Sequence, residues 1–433
     1  MELSNFIKIY TYPERPDHLL IFSTKNASKI LIKKDLLNKI KNNNLDSDNK
    51  VYLTKAGIIV NSREEEKEEM LGFFSKLDLY DKTLNIIIHP NLDCNFACKY
   101  CYEGDMKGKL YMSEKTLLQL ISFIKNKFTE DKDILQIDFH GGEPLLSTDL
   151  ITSISKEMIS FTKQRGATYL FNLITNGSLL KKELVERLEP LGLRSAKITI
   201  DGPSVIHNKS RPFKSGAGSF DILINNIKKS CDRIRFNIGG NYEKDNFHLF
   251  PQLLDYLLKE GLSPEKIAGI RFDPVFREQS TKAPMVDHSG GCMIFNAHWF
   301  FEASILLREE ILKRGYNFHK IKPTRCLVNN KDAYTINYDG SIYKCPALIG
   351  KEIFKIGDVA SGTTDYSITH NIDNWKNDEC LECSYLPLCF GGCRYTTYGQ
   401  YGNLDTIDCF KDFFDTTLER FILQDIQYLM RTQ

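Results

Sequence analysis

Ten of the twelve cysteines fall into two groups, and this grouping constrains the chain more than any other feature of the sequence. Three cysteines lie between residues 94 and 101, and seven lie between residues 326 and 409. A chain of 433 residues, 42% of them hydrophobic, is large enough for two or three domains with their own cores. In a reducing cytosol, clustered cysteines indicate metal binding or catalysis rather than disulfides.

Charge and hydropathy argue against several classes of partner. Lysine and arginine total 57 against 56 acidic residues, so the formal net charge is +1 and no basic surface for nucleic acid or an anionic membrane is expected. No apolar run is long enough to span a bilayer, and the first twenty residues lack the apolar core of a signal peptide. We therefore expect a cytoplasmic protein that binds neither nucleic acid nor membrane.

From residue 84 onward, apolar strands alternate with amphipathic helices. Six strands are predicted, at Leu84–Ile88, Ile134–Phe139, Tyr169–Ile174, Ala196–Ile200, Ile234–Ile238 and Ile267–Phe272. The first helix has its apolar face over Leu117–Phe128, with Ser113 as the expected N-cap. This alternation implies a parallel sheet with right-handed crossovers. Six units predict an α/β fold, an open, partial (β/α)6 barrel whose chemistry lies at the C-terminal ends of the strands.

Two smaller domains are expected to flank the barrel, which occupies residues 81–275. Residues 1–80 combine short strands and helices in a compact α+β, winged-helix-like module, in which the run Glu64–Glu69 is expected to be a solvated helix face. Residues 276–320 predict a linker with a bridging helix. Residues 321–433 predict a loop-rich cysteine domain with a hairpin at Tyr338–Ser341 and a C-terminal helix. A domain with so few core residues would need bound metal clusters to stabilise its fold.

The first cysteine group, Cys94, Cys98 and Cys101, follows the first predicted strand. Three thiolates on one loop can hold three irons of a [4Fe–4S] cluster and leave the fourth iron open to a substrate. A structural cluster or a zinc site needs four ligands. Half of a zinc site is the alternative, but no fourth ligand is evident nearby.

The spacing C-x3-C-x2-C, with Tyr100 inside it, resembles the signature of the radical S-adenosylmethionine (SAM) superfamily. The resemblance implies that the open iron binds SAM. It also implies that reduction cleaves SAM to a 5′-deoxyadenosyl radical, which takes a hydrogen atom from the substrate. Further residues match SAM-binding segments of that family, namely Gly141, Gly142, Glu143 and Pro144 after the second strand, Asn176 after the third, Thr199 and Asp201 at the end of the fourth, and Arg211.

The resemblance also implies roles for these residues. Glu143 would pair with the ammonium group of SAM, and the two preceding glycines would let the backbone approach the ligand. Thr199 and Asp201 would face the ribose, and Arg211 would pair with the carboxylate of SAM. His207 is equally compatible with structural hydrogen bonding.

The seven later cysteines are spaced as in the SPASM domain of radical SAM enzymes that modify peptides and proteins. The resemblance implies two auxiliary [4Fe–4S] clusters, one held by Cys380, Cys383, Cys389 and Cys409 and the other by Cys326, Cys345 and Cys393. One or two zinc sites are the alternative.

The second of these sets is one thiolate short of four. Some members of the family supply an extra cysteine a few residues after the first, but residues 327–344 contain none here. Three explanations stay open. A substrate thiolate occupies the position, or Cys292 folds back to fill it, or Cys292 is only a small buried hydrophobic residue.

Relatives with a SPASM domain include sulfatase maturases and maturases of ribosomally made peptides. In the sulfatase maturases an acidic residue follows the second SPASM cysteine, whereas Pro346 follows Cys345 here and cannot act as a base. We therefore expect a peptide maturase that couples a substrate thiolate to a carbon radical, forms a thioether, and passes the surplus electron to an auxiliary cluster. The layout also resembles the geopeptide maturase group. Carbon–carbon cross-linking, epimerisation, a sulfatase-maturase-like activity and a non-catalytic iron–sulfur or zinc scaffold are the alternatives.

Two partners are expected. A sheet edge in the N-terminal module would bind the leader of a precursor peptide by β-augmentation, and the segment Leu53–Met70 resembles the peptide-binding modules of such maturases. One-electron reduction implies an external donor, such as a flavodoxin- or ferredoxin-like protein.

Overall fold

The computed structural model describes residues 1–275 and 298–429. The chain forms two compact units: a smaller unit of residues 1–80, 319–330 and 371–433, and a larger unit of residues 81–318 and 331–370. The region expected to be one domain at 321–433 is therefore divided between the units, and the N-terminal residues share a unit with its last part. Cys292, which the sequence analysis considered as a cluster ligand, lies outside the described residues.

Residues 1–80 contribute five short strands and four helices to the smaller unit. These are β1 (Glu2–Leu3), β2 (Ile7–Thr11), β3 (His18–Ser23), β4 (Lys29–Lys33), β5 (Ile59–Val60), α1 (Lys34–Lys41), α2 (Ser47–Lys55), α3 (Arg63–Leu71) and α4 (Phe73–Tyr80). Strands β2, β3 and β4 form an antiparallel sheet, and β1 pairs with β5. Strands β2 and β4 are the edges of the three-stranded sheet, and none of the β2 side chains is fully buried.

One position in the glutamate run is buried, which corrects the expectation of a fully solvated face. Glu66 is 3% exposed, and its carboxylate accepts hydrogen bonds from Ser4 Oγ (2.6 Å) and Asn5 N (2.9 Å). Lys25 Nζ lies 2.9 Å from Glu66 Oε1 and balances its charge. A run of like charges does not show which helix face packs against the N-terminal residues.

Six parallel strands in sequence order form the centre of the larger unit, with helices between them. The strands are β6 (Thr83–Ile88), β7 (Ile134–Phe139), β8 (Thr168–Thr175), β9 (Leu193–Thr199), β10 (Arg235–Tyr242) and β11 (Ile267–Pro274), and the helices are α5 (Glu114–Lys127), α6 (Thr148–Gln164), α7 (Lys182–Leu188), α8 (Ser204–Ser210), α9 (Phe220–Ser230), α10 (Phe250–Lys259) and α11 (His298–Lys313). The predicted, largely parallel α/β sheet is confirmed. Ser113 caps α5 as expected, because its Oγ accepts a hydrogen bond from Thr116 N at 3.1 Å.

Residues 331–370 extend this sheet. Strand β12 (Ala333–Ile336) pairs in parallel with β6, and β13 (Ser341–Tyr343), β14 (Gly357–Asp358) and β15 (Gly362–Thr363) follow in antiparallel order. The predicted hairpin is the β12–β13 turn, where Gly340 has φ +92°. Lys132 Nζ, 2.7 Å from Asp332 Oδ2, joins the start of β12 to the segment before β7.

The last part of the smaller unit is helical and rich in loops. Its helices are α12 (Asp378–Leu381), α13 (Leu386–Cys389), α14 (Arg394–Tyr401) and α15 (Lys411–Gln424), the last of which is the predicted C-terminal helix. Trp375 and Phe390 pack edge to face in one apolar cluster with Phe6 and Met70. Each large apolar side chain buried in this way contributes about 1.5–3 kcal/mol. None of the helices in the described part of the chain is both long and apolar enough for a membrane crossing.

Candidate active site

The loop after β6 carries the first cysteine group at the C-terminal edge of the parallel sheet. Cys94 is buried, and Cys98 and Cys101 are half-buried. Burial raises the pKa of the Cys94 thiol to about 11, and the positive charge of Lys107 opposes this shift. Burial disfavours the charged form of Lys107, but the nearby Cys101 and Cys94 outweigh burial and raise the pKa of the Lys107 ammonium group. The structure thus places Lys107 beside the three thiols. The cysteine spacing alone did not predict a role for this lysine, although it lies six residues after Cys101.

Asn176, at the end of β8, fixes the start of this loop. Its Nδ2 donates to Asn95 Oδ1 at 2.7 Å and lies 3.7 Å from Cys94 Sγ. Its Oδ1 accepts from both the backbone N (2.9 Å) and the Oγ (2.7 Å) of Ser178. Both ends of this amide are therefore engaged by protein atoms, which makes Asn176 a positioning residue for the cysteine loop.

Glu143 is fully buried and joins the ends of β7 and β8. Its Oε1 accepts from Thr175 Oγ1 (2.6 Å) and Leu145 N (3.1 Å), and its Oε2 accepts from Asn176 N (2.8 Å). Burial raises the pKa of the Glu143 carboxyl, while these donors favour the ionised form. Pro144 follows Glu143 and begins a short 3-10 helix, Pro144–Ser147. The hydrogen bonds that the Glu143 carboxylate accepts fix the turn after β7, whether or not the carboxylate also contacts a ligand.

Gly141 and Gly142 make room for the protein's own loop, and their expected role in letting the backbone approach the ligand stays a prediction. A Cβ on Gly141, whose φ is +108°, would lie 2.5 Å from Asn91 O, and a Cβ on Gly142 would lie 2.1 Å from Asp93 O. Glu143 N donates to the same Asp93 carbonyl at 2.7 Å. The turn after β7 therefore packs against the chain just before Cys94, and no larger residue fits there.

Tyr100 and Asp201 form a second network, at the end of β9. Tyr100 Oη donates to Asp201 Oδ2 at 2.5 Å, and Asn241 N donates to Asp201 Oδ1 at 2.8 Å. His207 Nδ1 accepts from Asp201 N at 3.1 Å, and His207 Nε2 shares a hydrogen bond with Ser219 Oγ at 3.0 Å. His207 is thus bonded within the protein through both ring nitrogens. Thr199 ends β9 and is half-buried.

Arg211 adds a cation to this network. Its Nη1 donates to Tyr100 Oη at 2.8 Å, and its Nε is buried without a hydrogen-bond partner among the described residues. Burial raises the pKa of the Cys98 thiol, and the nearby Arg211 guanidinium opposes that shift. An unsatisfied guanidinium nitrogen beside the cysteine loop fits an anionic ligand, and the carboxylate of SAM is such a group.

A buried group that the sequence analysis missed lies beside the same loop. His89, Glu103 and His140 have ligand atoms within 4.8 Å of one another, and His89 Nδ1 lies 3.4 Å from Glu103 Oε1. The two imidazole rings stack at 4.9 Å with an interplanar angle of 16°. Lone pairs of parallel rings do not converge on one ion, so this geometry favours support of the loop over metal binding.

In the smaller unit, Cys380, Cys383, Cys389 and Cys409 line one cavity of about 240 Å³. This space is larger than a single metal ion fills. Gly391 and Gly392, both at φ +78°, turn the chain beside Cys389. A Cβ on Gly392 would lie 2.1 Å from Asp408 O, so glycine lets the residue before Cys409 approach closely. A cavity that is lined by four thiols and is large enough for a group of several atoms fits an iron–sulfur cluster.

The second predicted auxiliary set stays a prediction. Cys326 and Cys393 belong to the smaller unit, and Cys345 belongs to the larger unit. Arg394, 1% exposed, donates to the carbonyls of Phe390 (3.3 Å) and Gly392 (2.9 Å). Burial lowers the pKa of the Arg394 guanidinium, and Cys326 and Cys393 oppose this shift. The cysteine spacing did not predict a role for Arg394, although this residue directly follows Cys393 in the sequence.

Comparison with known proteins agrees with this geometry. Residues 88–252 match the radical SAM superfamily, the segment in which the cysteine loop, the Glu143 turn and the Arg211 network lie. The larger unit therefore contains a radical SAM domain, and the chain is a radical SAM enzyme. Enzymes of this superfamily use SAM and a [4Fe–4S] cluster, and the cysteine-rich C-terminal part fits auxiliary clusters.

Its relatives include maturases of proteins and peptides. The chain is 24% identical over 371 residues to a cysteine-type anaerobic sulfatase-maturating enzyme of Clostridium novyi, covering 78% of this chain and 96% of the relative. It is 20% identical over 294 residues to the PqqA peptide cyclase of Rhodopseudomonas palustris, covering 64% and 73% of the two chains.

Solved structures share the fold. The structure of anSMEcpe with bound AdoMet and a Cp18Cys peptide superposes with a TM-score of 0.64 at 18% identity, covering 80% of this chain and 99% of the other. Streptococcus suis SuiB bound to precursor peptide SuiA gives a TM-score of 0.54 at 15% identity, covering 94% and 98% of the chains.

Proposed function

We propose that this radical SAM enzyme modifies a ribosomally synthesised precursor peptide and forms a thioether cross-link in it. The observation that carries the proposal is the grouping of Cys94, Cys98 and Cys101 with the unsatisfied Nε of Arg211 at the C-terminal edge of the sheet. These groups fit a cluster with one open iron and a carboxylate ligand bound beside it. Relatives that act on peptides and proteins support the substrate class.

The residues of the chain would bind and orient SAM. When bound, the cluster and SAM together supply a hydrogen-abstracting radical after one-electron reduction. Arg211 would hold the carboxylate of SAM, and Tyr100 and Asp201 would hold Arg211 in place. Glu143 and Asn176 would keep the cysteine loop against the ends of β7 and β8.

The thioether step requires that two electrons and two protons leave the peptide. One hydrogen atom leaves a carbon of the substrate to the SAM-derived radical. The thiol releases its proton as the C–S bond forms, and the remaining electron needs an acceptor. The cavity lined by Cys380, Cys383, Cys389 and Cys409 would house that acceptor.

A sulfatase-maturase-like activity is the second candidate, because the Clostridium novyi relative is matched over 96% of its length. Pro346 counts against it. This residue follows Cys345 and begins a 3-10 helix, Pro346–Leu348, where the resemblance expects an acidic residue, and proline cannot accept a proton.

We further propose how the partners bind. Strands β2 and β4 are the two edges of the antiparallel sheet in the N-terminal, winged-helix-like module, and either edge offers unpaired backbone groups to a leader peptide. A flavodoxin- or ferredoxin-like protein would donate the electron in the cytoplasm.

The test uses anaerobically reconstituted enzyme with SAM and dithionite. Wild type should produce 5′-deoxyadenosine, and Cys98→Ala should produce none. With a precursor peptide that contains cysteine, mass spectrometry should show the loss of two hydrogen atoms and of alkylatable thiol, and a Cys→Ser peptide should show no such change. Loss of the sulfur atom would instead indicate the sulfatase-maturase-like activity. A fully loaded wild type that forms no 5′-deoxyadenosine with or without peptide would contradict the proposal.

A further inference from the structure

Lys8 of the N-terminal sheet lines the cavity formed by Cys380, Cys383, Cys389 and Cys409. It lies in β2 and is paired with Phe22 of β3. All these residues belong to the smaller unit. The N-terminal sheet therefore places a positive charge beside a cysteine site formed more than 370 residues later in the chain.

The ammonium group of Lys8 is held by two contacts at the cavity wall. Its Nζ lies 4.3 Å from the centre of the Tyr385 ring and 3.6 Å from Asp415 Oδ1. The hydroxyl of Tyr385 donates a hydrogen bond to Asp415. A cation over an aromatic face and next to a carboxylate loses much of its freedom to move into solvent.

Tyr385 connects this cation to a cysteine. It lines the same cavity as Cys383, which lies two residues earlier in the chain. Hydrogen bonds to cluster sulfurs and nearby charges are two of the factors that set the reduction potential of an iron–sulfur site. Lys8 therefore acts on the cavity in two ways, through its own charge and by fixing Tyr385.

We infer that Lys8 and Asp415 set the reduction potential of the four-cysteine site. Reduction adds a negative charge to an already anionic cluster, so a neighbouring cation favours the reduced form and a neighbouring carboxylate disfavours it. Lys8 raises the potential and Asp415 lowers it. Both are positioning residues, and the N-terminal sheet is part of the redox site. The inference does not depend on the identity of the modified peptide.

Replacing Lys8 and replacing Asp415 should shift the reduction potential in opposite directions, and this difference is the test. Holoenzyme is titrated potentiometrically under anaerobic conditions, and the reduced clusters are followed by electron paramagnetic resonance. Lys8→Met should shift the midpoint potential of one auxiliary cluster to a lower value, and Lys8→Arg should restore it. Asp415→Asn should shift the potential of the same cluster upward. Lys33→Met, which removes an exposed lysine at the end of β4, is the matched control and should leave all potentials unchanged.

Iron content and circular dichroism establish that each variant is folded and loaded. If Lys8→Met loses iron, Lys8→Gln and Asp415→Asn carry the test. Unchanged potentials in fully loaded Lys8 and Asp415 variants would overturn the inference. Shifts of the same sign in both would also overturn it, because removing opposite charges should move the potential in opposite directions. A purely structural disturbance would not follow the sign of the charge.

Discussion

At the scale of single residues, the polar side chains around the cysteine loop mainly bind one another. Glu143 accepts three hydrogen bonds from protein donors, and Asp201 accepts from Tyr100 and Asn241. Arg211 differs from them, because its buried Nε has no hydrogen-bond partner in the part of the chain that the structure describes. Among these candidate ligand contacts, Arg211 is therefore the one whose replacement should most directly weaken SAM binding.

Arg211→Lys keeps the charge but removes the forked donor geometry. We expect SAM affinity to fall about tenfold or more, since a hydrogen bond to a charged group contributes about 1.5–3 kcal/mol. Anaerobic equilibrium binding of SAM to the reconstituted enzyme measures this effect. Arg233→Lys, at an exposed arginine paired with Glu189, is the control and should bind SAM normally. Equal affinities in Arg211→Lys and wild type would exclude this arginine as the carboxylate ligand.

At the scale of elements, the turn after β7 supports the cysteine loop after β6 through backbone contact. Gly142 allows this contact, because a Cβ there would lie 2.1 Å from Asp93 O and 2.8 Å from the carbonyl carbon of Leu92. Backbone atoms cannot move aside as a flexible side chain can. The loop itself would have to shift.

Gly142→Ala should therefore impair the first cluster more than the auxiliary clusters. Three [4Fe–4S] clusters carry about twelve irons, so we expect a loss of about four irons per chain. Production of 5′-deoxyadenosine should fall in parallel. Gly104→Ala is a matched control in the same loop region, because a Cβ there has no neighbour within 4 Å. Full iron occupancy in Gly142→Ala would show that the loop tolerates the added methyl group.

At the scale of the whole molecule, segments far apart in sequence share a unit. Residues 1–80 lie with residues 371–433, and residues 331–370 join the parallel sheet through β12. The segment from α12 to α15 contributes no strand to a sheet, so the cysteine cavity would help to hold its short helices together when a cluster is bound.

Cys389→Ser should accordingly loosen the smaller unit. We expect cleavage within residues 378–410 to become at least about tenfold faster in limited proteolysis, because proteolysis follows the population of the locally open state. Cys231→Ser is the control, since this buried cysteine lies in the larger unit and its Sγ donates to Lys228 O at 3.5 Å. Similar cleavage rates for Cys389→Ser and Cys231→Ser would argue against a stabilising cluster at the cavity.

The sequence by itself determined the features that depend on local patterns. The six parallel strands follow from apolar runs, the cap of α5 follows from Ser113, and the cysteine groups follow from spacing. Periodicity reports which side chains are apolar within one element, so it predicts elements and their order well.

Only the tertiary structure decided which elements meet. It brought Lys8 to the four-cysteine cavity, buried Glu66 beside Lys25, and placed β12 next to β6. It also showed that Gly142 serves a backbone contact within the protein. Such contacts join residues that are distant in the chain, and neither periodicity nor motif spacing encodes the partner that a charged or glycine residue will find after folding.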